Sequence, residues 1–156
     1  MVRITNLLII FLTTIFLVSC NIKDDNNKED ETPSFVEEND YVEKISITVD
    51  DVIFTATLYE NKTAQAFAKL LPLTIEMNDM PHEKYYNLPQ SLPTRIERIE
   101  MIEAGDLMLW NSNCFVIFYE TFETSYSYSK IGKIDDITKI ALIGQSNNFF
   151  KIEIVK

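Results

Sequence analysis

Cationic residues, glycine, histidine and cysteine are all scarce in this chain, and each scarcity closes off a class of function. Only 14 of the 156 residues are Lys or Arg, against 24 Asp and Glu, for a formal net charge of −10. Phosphate backbones are held by clustered Lys and Arg, so no nucleic-acid partner is expected. The three glycines, Gly105, Gly132 and Gly144, stand far apart. No glycine-rich loop can therefore gather backbone N–H groups around a phosphate, and each glycine reads as a turn or a cap. One histidine, His82, and two cysteines, Cys20 and Cys114, supply no His/Cys cluster with metal spacing, so no metal and no cofactor is expected. A hydrolase triad would have to recruit His82 from the loop Met80-Pro81-His82-Glu83, which no nucleophile motif adjoins. Paired carboxylates such as Asp135-Asp136 are ordinary in so acidic a chain, and Asp136 reads as a helix cap.

The N-terminus carries the most specific motif. Arg3 is followed by an apolar stretch from Leu7 to Val18, broken only by Thr13 and Thr14. That stretch falls short of the ~20 apolar residues a transmembrane helix needs. It ends Leu17-Val18-Ser19-Cys20, which resembles a lipobox: an apolar residue, a small residue, then the cysteine to be acylated. Residues 1–19 are thus expected to be a lipoprotein signal peptide and Cys20 the lipidated residue. Its thiol would take a diacylglyceryl group and its freed amine a further acyl chain such as palmitate. Several chains hold a protein on a membrane where one binds only marginally, because each buried methylene contributes ~0.8 kcal/mol. If Cys20 is acylated, Cys114 has no partner for a disulfide, and within the apolar run 114–119 it reads as a small core residue.

Residues 20–40 are expected to form a disordered acidic tether. Between 21 and 40 stand eight acids and two lysines, a balance of −6, so more than half of the net charge lies there. Like charges extend such a chain and leave little to bury. Asn21 follows Cys20, and Lys23-Asp24-Asp25 resembles the acidic export signal of surface lipoproteins of the Bacteroidota. The expected location is outside the cytoplasm, lipid-anchored at the outer membrane and displayed at the cell surface.

Residues 41–156 then form one domain. Lys44 to Val49 alternates polar and apolar, as a half-buried strand does. Asp50-Asp51 is a turn, and Val52 to Tyr59 a second strand with Phe54, Ala56 and Leu58 on one face. Asn61 caps a helix over Lys62 to Leu71 that Pro72 ends, with Ala64, Phe67, Ala68 and Leu71 at core spacing. Strands are expected at Leu73–Met77, Lys84–Leu88, Leu107–Trp110, Cys114–Tyr119 and Phe149–Val155. A second short helix is expected over Ile134–Ile143, stopped by Gly144. Many short strands and two short helices predict a mostly β fold, a barrel that hides its edges.

Asn61-Lys-Thr-Ala-Gln-Ala-Phe, Leu71-Pro-Leu-Thr-Ile-Glu-Met-Asn-Asp, Glu83-Lys-Tyr-Tyr, Leu92-Pro, Gly105-Asp-Leu-Met-Leu-Trp, Val116-Ile-Phe-Tyr and Ile131-Gly-Lys-Ile follow one another in this chain. The ordered set resembles the bacterial cyclophilin-like domain family over residues 44–156. The resemblance implies a cyclophilin-like closed β-barrel with a helix at each end. True cyclophilins are peptidyl-prolyl isomerases whose cleft holds an arginine beside a Phe-His pair, a glutamine, aromatic residues and a late histidine. A donor such as arginine bonds the prolyl nitrogen and weakens the amide resonance behind a barrier of ~20 kcal/mol. This chain has no Phe-His-Arg run. Matching Ile131-Gly132-Lys133 to the late Phe-Gly-Lys of cyclophilins puts Tyr128 where the late histidine would stand, and Ile117, Phe118 and Tyr119 where a glutamine and two phenylalanines would. Apolar walls are kept and polar catalytic groups are lost.

Phe118, Tyr119, Phe122, Tyr126 and Tyr128 form an aromatic cluster that Tyr85, Tyr86 and Trp110 could join. Thr124 to Ser129 alternates hydroxyls with tyrosines, which suits either a groove wall with polar tips or tyrosines packed across strands of a solvent-facing sheet. Phe118, Tyr119, Tyr126 and Tyr128 are the candidate ligand cleft, with no catalytic residue assigned. The expected function is a membrane-anchored cell-envelope lipoprotein whose domain binds a peptide, an envelope protein or another ligand without catalysis. The alternatives are an extracytoplasmic prolyl isomerase using a donor such as Arg95, and a structural accessory lipoprotein with no small ligand.

Overall fold

A computed structural model describes residues 43–155. The expected signal peptide 1–19, Cys20 and the expected tether to residue 40 lie outside the described residues. In chain order the elements are β1 (Lys44–Val49), β2 (Val52–Leu58), α1 (Lys62–Ala68), β3 (Leu73–Glu76), β4 (Asn78–Met80), β5 (Glu83–Asn87), β6 (Glu97–Arg98), β7 (Met101–Ile102), β8 (Asp106–Trp110), β9 (Cys114–Phe118), β10 (Phe122–Glu123), β11 (Ser127–Ile134), α2 (Ala141–Gly144) and β12 (Phe149–Ile154). The fold is mostly β with two short helices, as the strand pattern predicts.

One sheet runs β3-β12-β1-β2-β11-β8-β9-β5-β4, with β6 pairing β11 off this path. All its pairings are antiparallel. Its two end strands, β3 and β4, are consecutive in the chain and separated only by Met77. The backbone itself therefore joins one end of the sheet to the other, giving a nearly closed barrel and protecting the edges. Met77 is buried, and its N–H bonds the Asn148 carbonyl at 2.8 Å.

Alternation decides what fills the barrel. Side chains two apart share a face, and Ile45, Ile47 and Val49 of β1, Phe54, Ala56 and Leu58 of β2, and Phe115 and Ile117 of β9 all enter one buried cluster. Each of these side chains except Ala56 contributes ~1.5–3 kcal/mol by leaving water. Helix α1 adds Phe67, whose ring stacks on Phe115 with centroids 4.6 Å apart. Asn61 positions the helix twice: its Oδ1 accepts the Ala64 N–H at 2.9 Å and its Nδ2 donates to the Lys130 carbonyl of β11 at 3.0 Å.

The turns follow from local chemistry. Asp50 and Asp51 both have positive φ, 48° and 62°, as a two-residue hairpin turn matching strand twist requires. Gly132 lies where β11 crosses β2 so closely that a Cβ would stand 2.5 Å from the Thr57 carbonyl oxygen. That contact explains the glycine of the Ile131-Gly132-Lys133 run.

The helices are shorter than predicted. The first ends at Ala68, and Leu70 and Leu71 close tighter turns onto Phe67 and Ala68. In the second, Ile134, Ile137, Ile140 and Ile143 imitate helical spacing, but Ile134 belongs to β11 and pairs with Ala56. Asp136 caps a turn by accepting the Thr138 N–H at 2.9 Å, and only Ala141–Gly144 is helical. Gly144 lies under Tyr119: a Cβ there would meet the ring at 2.8 Å.

Candidate functional site

The outer face of β9 is as apolar as its inner one. In register, Tyr85 faces Val116 and Asn87 faces Cys114, while Met108 and Trp110 flank the same two β9 residues from the other side. Met108, Cys114, Val116 and Phe118 join Ile99, Ile102 and Tyr128 in a second buried cluster outside the barrel. The segment around the β7–β10 pair covers part of this face. The uncovered part is a groove of about 400 Å³, walled by Met80, Pro81, Glu83, Tyr85, Asn87, Trp110, Cys114, Val116, Phe122, Tyr126 and Tyr128.

Two of the four candidate cleft residues line this groove. Tyr126 is 63% exposed at its rim, whereas Tyr128 is only 6% exposed. Phe118 is wholly buried beneath, edge-on to Tyr128 at 5.5 Å and tilted against Phe122 at 5.8 Å. It supports the wall without lining it. Tyr119, one residue on, points away: it packs on the interior cluster, and its hydroxyl donates to the Met80 carbonyl at 2.9 Å. Tyr85 and Trp110 join the groove, while Tyr86 packs on the barrel interior.

Sequence reasoning missed Glu83. One carboxylate among 24 acidic residues attracts no notice. Its signal was positional, since it stands two residues before Tyr85 and so shares its face. Half-buried among the groove walls, its carboxyl is raised above the ordinary value by burial, with His82 opposing. It makes no ion pair or hydrogen bond with the described residues. Its charge reaches its neighbours. The Tyr128 phenol is pushed up to about 12 by burial and then by Glu83, and the Cys114 thiol is raised by the same two causes. Cys114 is buried, as expected, but at the groove, and burial disfavours its thiolate.

The basic residues adjoining Glu83 in sequence are engaged elsewhere. Lys84 points into the barrel, where its Nζ donates to Asn148 Oδ1 at 2.6 Å and pairs with Asp79 at 2.9 Å. His82, at φ 74°, bonds Glu120 through Nδ1 at 2.6 Å and packs its ring on Phe122. Arg95 pairs with Glu97 at 3.2 Å, and neither it nor Arg98 lines the groove. Among the described residues no group of His, Cys, Asp and Glu is arranged to hold a metal ion.

A second charged cluster joins Lys133 to Glu103 and, at 3.6 Å, to Asp106, whose carboxylate accepts the Glu103 N–H at 2.9 Å. Burial raises Asp106, whereas Lys133 holds the exposed Glu103 carboxyl below its ordinary value. These contacts tie the turn at Gly105 to β11 and are structural.

Residues 47–155 match the sequence profile of the cyclophilin-like family. No curated protein and no solved structure matches the chain. The family match spans well over half of the sequence and coincides with the nearly closed barrel, so this chain belongs to the cyclophilin-like family.

Proposed function

We propose that this chain is a lipid-anchored lipoprotein of the cell envelope whose barrel holds an extended peptide in the outer groove without catalysing a reaction. The observation that carries the reading is the groove lining: five aromatic rings and no arginine. Aromatic walls bury apolar area and offer polar tips, which suits a peptide. Prolyl isomerisation needs a donor at the prolyl nitrogen to weaken amide resonance, and Arg95 stands paired off the groove. The anchor rests on the Leu17-Val18-Ser19-Cys20 motif, and the acidic tether would hold the barrel clear of the outer membrane at the cell surface.

Two measurements on the full chain test the two halves. Metabolic labelling with palmitate should mark the wild-type chain, and Cys20→Ala should lose both label and membrane fractionation; label retained by that variant refutes the anchor. The purified protein should bind immobilised peptides and leave the cis–trans relaxation of a prolyl peptide at its uncatalysed rate. Acceleration abolished by changing one groove residue would establish an isomerase instead.

A further inference from the structure

We propose that the groove selects peptides by a cationic side chain, lysine or arginine, which pairs with the Glu83 carboxylate while the surrounding aromatic rings hold its aliphatic stem. This rests on the peptide-binding reading above and adds to it the class of residue recognised.

Glu83 is the only side chain of the groove wall that carries a formal charge at neutral pH, and no Lys, Arg or His lines the groove. The groove wall therefore carries one sign of charge only. Both potential internal counter-ions are committed: Lys84 enters the barrel to meet Asp79 and Asn148, and His82 bonds Glu120. A half-buried carboxylate without a bonded partner has lost solvation, and only the field of His82 offsets that loss. A ligand cation supplies the missing interaction, and a charge-assisted bond in a partly dry site exceeds one in water. The raised carboxyl of Glu83 agrees with this account.

The walls complete the fit. Tyr85, Phe122, Tyr126 and Tyr128 surround the same space as Glu83. Aromatic faces attract ammonium and guanidinium groups and cover methylene stems. A groove of about 400 Å³ lies at the small end of ligand sites, enough for one long side chain and its neighbours.

Trp110 is the only tryptophan in the chain and lies on the groove, so its fluorescence reports binding directly. The full chain in detergent micelles is titrated with short capped peptides that differ at one central position: lysine, arginine, norleucine, glutamate or proline. The lysine and arginine peptides should bind ~10-fold or more tightly than norleucine, the value of one good charged contact. Glu83→Gln should reduce that preference to roughly the two- to threefold scatter of a neutral site while keeping the norleucine affinity. Tyr126→Ala, at the exposed rim, should weaken lysine and norleucine peptides alike. Added salt should weaken only the cationic peptides on the wild-type chain, a check that needs no variant to fold. Equal binding of lysine and norleucine, a preference for proline, or a lysine preference that survives Glu83→Gln overturns the inference and leaves peptide binding standing. No fluorescence or calorimetric response to any peptide overturns both.

Discussion

Strand β9 presents two apolar faces that do opposite things. Inward, Phe115 and Ile117 meet α1 and the facing strands in a nearly closed barrel. Outward, Cys114, Val116 and Phe118 meet a cover that reaches only part of the way, so that Cys114 and Val116 also line the groove. The same alternation generates both faces. Closure turns apolar area into stability, and incomplete closure leaves it available to a ligand. Charge divides in the same way: Lys84, 1% exposed, is fully partnered inside, whereas Glu83, its neighbour outside, is unpartnered among the described residues.

The sharpest contrast comes from truncating one aromatic on each side. Phe115→Ala removes the partner of Phe67 and leaves a cavity, so unfolding free energy should fall by ~3–5 kcal/mol in denaturant titration. Tyr126→Ala should stay within ~0.5 kcal/mol of wild type. Equal losses would mean that the outer face is a second structural core.

Lys84 offers an intermediate effect. Asn148→Gly removes the amide that accepts from Lys84 and keeps the left-handed backbone at φ 71°, which glycine tolerates. The buried ammonium then keeps only Asp79, and stability should drop by ~1–3 kcal/mol. Lys84→Met in the same background should recover much of the loss, because it removes the group left under-bonded.

The smallest effect is electrostatic and distinguishes the faces by sign. Burial places the Glu83 pKa in the folded protein above the ordinary 4.5. Between those two values the folded state binds more protons than the unfolded one, so stability falls as pH rises through this window. Asp106 is raised by burial and acts with the same sign. His82, Cys114 and Tyr128 are the other titratable groups around Glu83. Wild type minus Glu83→Gln isolates its part: the difference in denaturation midpoints should shrink toward acid and reach a plateau above the raised pKa. A wild type that is instead more stable than Glu83→Gln at neutral pH and loses that lead toward acid would show that Glu83 has a cation partner in the folded chain.

The barrel was legible because its rule is local. The alternation in Lys44–Val49 and Val52–Leu58 predicts the buried face residue by residue, and Asn61 announces its helix by its capping chemistry. The second helix misled for the same reason. Isoleucines at 134, 137, 140 and 143 satisfy a helical period, yet pairing of Ile134 with Ala56 gives that end of the segment to the sheet. The tyrosine-rich stretch was equally ambiguous. Tyr126 and Tyr128 belong to the groove wall, but Tyr119 faces the other side, one residue beyond the outward Phe118 of β9, as strand alternation requires.

By itself, then, the sequence determined the acidic composition of residues 21–40, the mostly β class and the apolar lining of the barrel. All of these follow from neighbours within a few positions of one another. Only the tertiary structure decided that the outer face stays partly uncovered, that Lys84 turns inward to its partners, and that Glu83 stands alone among aromatic rings. Those outcomes depend on segments around positions 80, 110 and 126 meeting in space, and the environment of a charge is set by all the groups around it at once.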